Sequence, residues 1–458
     1  MTNSRVGVAV RLSAGAVIAA VLVVGAAAGI AFAWMPHTAS PPSRLVEPAA
    51  ADSQLTCSGP LLAIGRDANA PQKISAVAAE HVTATGADQK RNTLASPDAS
   101  GASGVTRLVT PAQHRAAPIA AGAASASITA DDVAGFAASS CAPALMESWL
   151  VGGSTDTGAA DLVLLANPGS VPATVQLTLY GTDGVQEPGP GGTVIVAAGT
   201  QQVVPLAGMG LNQGAPIVRV TATGAPVRAA LQSSIVRGLQ PGGVDQSGVI
   251  AAASTTQVIT GVRVTAEPQA DPTSIVRLLA PTAGATASVT VIGVHGTTGP
   301  AVEVPLKAGA PVEAELPALA PGDYTVVVTA DQPVVAAAWQ ATGTGKDADF
   351  AWVTSAPALP SGEAGTVFSV PAGPSPQLVL VADADAAVSL TRVDGGGAQK
   401  VTVVAGQTAS VPLAAGTSYR LTTDQPVRAA VAFAAAGALA AYPVWPQDAA
   451  SAPLRVYP

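Results

Sequence analysis

Ala173-Thr-Val-Gln-Leu-Thr-Leu-Tyr-Gly181 decides the fold. Val175, Leu177 and Leu179 alternate with Gln176, Thr178 and Tyr180. A period of two belongs to a strand with one buried face. Asn167-Pro168-Gly169 punctuates the chain upstream and Gly181 closes the run, so the stretch has the bounds of a strand. The same alternation returns in Val289-Thr-Val291 and Val388-Ser-Leu390, which run into glycine turns at Gly296 and Gly395.

Working outward, three further blocks recur in the same order. LVLLA at 162–166 matches VRLLA at 276–280 and LVLVA at 378–382. VPL at 204–206 matches VPL at 411–413, with ELP at 315–317 between them. Gly224-Ala-Pro-Val-Arg-Ala-Ala230 matches Asp331-Gln-Pro-Val-Val-Ala-Ala337 and Asp424-Gln-Pro-Val-Arg-Ala-Ala430. The motif prolines lie 333 − 226 = 107 and 426 − 333 = 93 residues apart. Units of about 90–100 residues with six or seven short strands fit antiparallel sandwiches. Solenoid and propeller units are usually shorter. The sequence therefore predicts an all-β region of three tandem antiparallel, Ig-like β-sandwich repeats: 146–255, 256–345 and 346–458. A small propeller-like arrangement is the alternative.

Composition agrees with strands. The 458 residues are 48% hydrophobic but 3% aromatic and 11% charged, with 47 Gly and 38 Pro. Ala and Val dominate, which argues against helical bundles and coiled coils. A net charge of −8 provides no footprint for phosphate neutralisation, so no nucleic-acid partner is expected.

The N-terminus reads differently. Leu12 to Trp34 contains no charged residue. As a helix rising ~1.5 Å per residue it spans a bilayer core of roughly 30 Å. Arg5 and Arg11 precede it, and no Lys or Arg follows until Arg44. The positive-inside rule then makes 1–11 a cytoplasmic tail and places the rest outside the plasma membrane. The rival is a cleaved signal peptide, since Ala31-Phe32-Ala33 has a small-x-small form. Residues 35–56, with four prolines, read as an extended spacer.

Cys57 and Cys141 are the two cysteines, and outside the cytoplasm an even pair reads as a disulfide. It would enclose 141 − 57 − 1 = 83 residues. Region 57–145 between them reads as Cys-bridged and partly disordered, with SPDASGASG at 96–104 a mobile loop.

Chemistry-bearing motifs are sparse. The four histidines, His37, His81, His114 and His295, are scattered, and no GxSxG, HExxH or P-loop occurs. Asp347-Ala-Asp349 and Asp383-Ala-Asp385 read as solvent-facing turn carboxylates rather than a metal site. No catalytic residue, cofactor or metal is expected. Trp149, Trp352 and Trp445 sit in similar strings, Ser148-Trp-Leu-Val151, Ala351-Trp-Val-Thr354 and Ala441-Tyr-Pro-Val-Trp445. Packing is the first reading of these rings, and a sugar-stacking platform the second.

The 12–34 segment, Cys57, Cys141, Glu147-Ser-Trp149 to Gly152-Gly153, LANPG at 165–169 and ATVQLTLYG at 173–181 resemble a family of actinobacterial single-pass cell-envelope proteins of unknown function. Such proteins are often encoded beside a large multi-spanning glycosyltransferase. The resemblance implies a role in envelope glycan assembly, with that enzyme or a wall glycan as partner. The expected function is thus a non-enzymatic, membrane-anchored extracytoplasmic scaffold or partner-binding protein. A carbohydrate-binding protein is the alternative.

Overall fold

The computed structural model describes residues 14–28, 44–46, 50–113, 118–186, 192–267, 274–345, 347–447 and 454–456. It divides into two units, Ala50–Ala450 and a smaller one formed by Met1–Ala49 with Ser451–Pro458. The smaller unit contains a helix at 14–28, within the predicted span 12–34. Val17, Ile18, Val21, Leu22, Val23 and Val24 are all exposed on it. Among the described residues no helix is long and apolar enough to cross a membrane. The ends of the predicted span, the tail 1–11 and most of the spacer lie outside the described residues. Arg44–Val46 and Leu454–Val456 pair antiparallel, so part of the expected spacer is strand.

Among the described residues Ala50–Ala450 is all-β, with one short 3-10 turn at Leu206–Gly208. Residues 147–247 show the plan. The first, sixth, third and fourth strands (Glu147–Val151, Ile217–Thr223, Ala173–Gly181, Thr193–Val196) form one antiparallel sheet. The fifth, second, seventh and eighth (Thr200–Pro205, Leu162–Asn167, Arg228–Arg237, Gln240–Ser247) form another. The alternation read from sequence holds: Val175, Leu177 and Leu179 are buried in one apolar cluster with Val163, Leu165 and Leu231 of the other sheet.

The next two segments repeat this order. In residues 254–354 one sheet runs Ser254–Val264, Gly322–Ala341, Ala285–Gly293, Val302–Leu306. The other runs Val312–Glu315, Ser274–Leu279, Gly322–Ala341, Phe350–Thr354, the long strand serving both. In residues 362–443 the sheets are Gly362–Val370, Thr417–Thr423, Ala386–Arg392, Gln399–Val403 and Ala409–Pro412, Gln377–Ala382, Val427–Ala435, Ala438–Pro443. Two sequence boundaries need correction. Ala351-Trp-Val-Thr354 is the last strand of the middle repeat, not the start of the third, so the third begins near Gly362. The 162–166 block also slips by one residue: Leu165 opposite Ala229 corresponds to Leu278 opposite Ala336. A slip of one turns every side chain to the other face.

The largest departure is in 57–145. Strands run through the stretch expected to be partly disordered, including His81–Gly86, Lys90–Leu94, Val105–Thr110 and Ala120–Thr129. Even 96–104 contains a short strand, Ala99–Ser100. Ser53–Thr56, taken as spacer, pairs with Val105–Thr110, which pairs with Lys90–Leu94. His81–Gly86, Ala120–Thr129 and Ala134–Ser140 form the companion sheet. This is the same strand order without the fourth and fifth strands. Leu61–Ile64 and Ile74–Ala78 are an insertion that packs on Leu162 and Leu164 of the next module. Small Ala, Ser and Thr side chains explain the misreading, because they give no apolar alternation yet pack well between sheets. The chain thus has four modules, I to IV.

The eighth strands meet. We label them β1 (Ala134–Ser140), β2 (Gln240–Ser247), β3 (Phe350–Thr354) and β4 (Ala438–Pro443). β1 packs against β2 and β4, and β3 packs against β2 and β4, which closes a ring. Asp349 sits where they converge and is fully buried. Its Oδ2 accepts the N–H of Phe136 (2.9 Å) on β1 and Leu439 (2.9 Å) on β4. Its Oδ1 accepts the N–H of Val244 (3.0 Å) on β2. Gly135 and Gly243 are required beside it, since both have positive φ and a Cβ at either would fall within 2.8 Å of Oδ1.

Candidate functional site

The predicted site residues separate. Cys57 and Cys141 form the expected disulfide, S–S 2.01 Å, buried at the end of module I. The three tryptophans do not occupy one recurring place. Trp149 lies on the first strand of module II, Trp352 on β3, and Trp445 beyond β4. Trp149 and Trp352 are 3% and 4% exposed. Arg219 lies over the Trp149 ring at 5.5 Å and Arg277 over the Trp352 ring at 4.5 Å. Their faces are covered, so neither offers an open stacking platform; packing accounts for both. Trp445 is half-buried beside a hollow of about 50 Å³ that also touches Cys141.

Asp349, read as a solvent-facing turn carboxylate, is instead the pivot of the ring. Asp347 and Asp383 are exposed as expected, and Asp385 caps the N–H of Ala405 at 2.8 Å. Among the described residues no cluster of His, Cys, Asp and Glu could hold a metal ion.

The site with most chemistry lies between modules II and III. Apolar and aromatic side chains gather there: Trp149, Tyr180, Trp339, Phe350 and Trp352 share one cluster. Beside it opens a cleft of about 190 Å³ walled by Trp339, Phe350 and Trp352. Arg277 forms its charged end. The guanidinium donates to Glu313 Oε1 through Nε (2.9 Å) and Nη2 (2.6 Å). It also donates to the carbonyls of Gly153 (2.8 Å), Pro216 (2.9 Å) and Gly214 (3.1 Å) in module II. All five N–H groups are thereby engaged. Asp161 forms the other polar wall, taking the N–H of Ser154 (2.6 Å) and Ser234 (3.0 Å). Ser233 Oγ lies close to that carboxylate, lines the cleft, and has no hydrogen-bond partner of good geometry among the described residues. Asp245, paired with Ser233 across the strands, accepts the N–H of Trp352 (2.8 Å) on one oxygen and leaves the other unpartnered.

The repeated order of strands extends across residues 93–414, which match one family throughout, from module I into module IV. The chain belongs to DUF5719, a family of unknown function. Among curated proteins nothing matches it. The DUF5719 match covers both modules that wall the cleft.

Of the DUF5719 cleft residues only Trp352 was singled out from sequence; Arg277, Glu313, Asp161, Ser233, Trp339 and Phe350 were not. One signal was present. Arg277 stands where the other two repeats place Leu164 and Val379, positions whose side chains face a neighbouring module. A lone arginine at an apolar inter-module position needs partners, and the alignment slip hid the comparison.

Burial gives this DUF5719 protein an unusual pH response. It pushes the carboxyls of Asp161 and Asp245 from 3.8 up to about 7, against the N–H groups that favour ionisation. Burial likewise raises Asp349. These acids hold protons in the folded chain that the unfolded chain releases above 3.8. Between about pH 4 and 7 the native state binds more protons, so stability falls as pH rises. Calorimetry should give a higher melting temperature at pH 5 than at pH 8. Asp245→Asn should flatten that slope, and a slope unaffected by the change would contradict the assignment.

Proposed function

We propose that this protein is a non-enzymatic, membrane-anchored extracytoplasmic scaffold of the cell envelope, built from β-sandwich modules. The observation that carries the reading is the use of Asp349. A buried carboxylate that could serve chemistry instead accepts N–H groups from three other modules and holds them in one ring. Arg277 does the same between modules II and III. Such a body suits the display of fixed surfaces. In modules II to IV two sheets contribute to one core, as a sandwich requires. A helix exposing Val and Leu on all sides at 14–28 favours an anchor, since such a helix is unfavourable in water. The buried disulfide favours an oxidising compartment. The proposed partner is a membrane glycosyltransferase or a wall glycan.

Crosslinking in intact cells, combined with protease shaving, tests this reading. External protease should remove the β-modules and leave an N-terminal tag protected, while envelope components are recovered with the crosslinked chain. Recovery of cytosolic proteins, with the modules protected, would overturn it.

The aromatic cleft favours a second reading, a carbohydrate-binding role. Its walls are Trp339, Phe350 and Trp352, of which only Trp352 belongs to the tryptophan set expected from the sequence.

A further inference from the structure

We propose that the cleft between modules II and III binds a protonated amine carried on a compact ring. The inference rests on the ligand-binding reading of that cleft and names what it would select. Arg277 contributes the site's positive charge, yet it is 2% exposed and its five N–H groups are taken by Glu313 and three carbonyls. It cannot recognise an anion without breaking those bonds. The polar atoms that remain are chiefly acceptors. Glu313 engages Arg277 through Oε1, while Oε2 has no partner among the described residues, and the side chain is 35% exposed. Ser233 Oγ lies on the lining beside the Asp161 carboxyl, and behind it Asp245 keeps one oxygen unpartnered. Asp161 supplies a further carboxyl and Asp156 lies near Arg277. With Glu313, Asp161, Asp245 and Asp156 ionised, as at pH 8, four carboxyls around one saturated cation leave the cleft acidic.

The walls narrow the choice. Trp339 is half-buried, so part of its ring faces outward, and it packs 6.3 Å from Phe350. Aromatic faces attract cations and stack on flat apolar rings. About 190 Å³ is below the usual range for drug-sized ligands, so one ring with its amine is the appropriate size. An amino sugar and an arylmethylamine both present that chemistry.

The test titrates the full chain in detergent, following tryptophan fluorescence and calorimetry at pH 8, with matched pairs. Glucosamine is compared with glucose, and benzylamine with benzyl alcohol. At least one amine should bind in the millimolar range, about tenfold tighter than its neutral partner. Glu313→Gln should weaken the amine several-fold and leave the neutral compound unchanged. Ser233→Ala, which removes one small buried hydroxyl and keeps the Arg277 network, should act in the same direction if Glu313→Gln does not fold. Should glucose bind as well as glucosamine, the amine inference falls and the carbohydrate-binding reading survives. Should none of the four bind, both fall.

Discussion

Asp349→Asn is expected to lower the unfolding free energy by about 1–6 kcal/mol, since one or two buried N–H groups lose their acceptor at about 1–3 kcal/mol each. The side chain is fully enclosed, and its two oxygens take N–H groups from β1, β2 and β4. An amide retains one acceptor and points an NH₂ at the others. Each N–H left unsatisfied in a buried site costs about 1–3 kcal/mol. The change adds no volume and leaves the local turn intact, so the loss reports the carboxylate itself. Urea unfolding of the variant, with Asp347→Ala two residues away as the exposed control, measures it. The control should stay within about 0.5 kcal/mol of the parent, as surface changes do. Equal small effects at both positions would show that the ring is held by its apolar contacts alone.

Reduction of Cys57–Cys141 is expected to remove about 2–5 kcal/mol, the range for native disulfides. The enclosed loop is long, with a sequence separation of 84, and most of module I lies inside it. Module I lacks the fourth and fifth strands, so it buries less sheet than its neighbours and depends more on the crosslink. Cys57 and Cys141 pack with Leu55, Leu108 and Ala124, joining the module's two sheets. Calorimetry of Cys57→Ser against the parent should show the first transition shifted down in temperature, with amide exchange accelerated in 53–140 before 254–443. Uniform acceleration would mean that the ring unfolds as one body.

Much of the architecture was legible because alternation and turn residues act locally. ATVQLTLYG at 173–181 and the Pro-Val blocks at 226, 333 and 426 identify strands and their repetition without knowledge of the partners. Module I was not legible, because Ala120–Thr129 reads AAGAASASIT, which shows no polar and apolar faces, and because it looks like a linker until a second sheet covers it. Pro118-Ile-Ala-Ala121, a looser form of the Pro-Val block, was its one visible trace. The disulfide followed from cysteine number alone. The cleft and the pivot did not, for a physical reason: Asp349 and Arg277 take their roles from backbone groups about 60 to 210 residues away in sequence, and no spacing rule connects them. The tryptophan strings misled because similar short runs occur on first and eighth strands alike.

Phe136 of the earliest module packs at a tilt 5.3 Å from Phe433 of the latest, and Gln447 caps the N–H of Ala120 at 3.0 Å. The polypeptide is therefore completed in a different order from the one in which it is made. While a ribosome delivers it, the leading portion keeps an uncovered greasy patch until the trailing portion arrives. A chain interrupted near residue 360 would carry that patch permanently, which makes truncated products of this gene natural substrates for quality-control proteases.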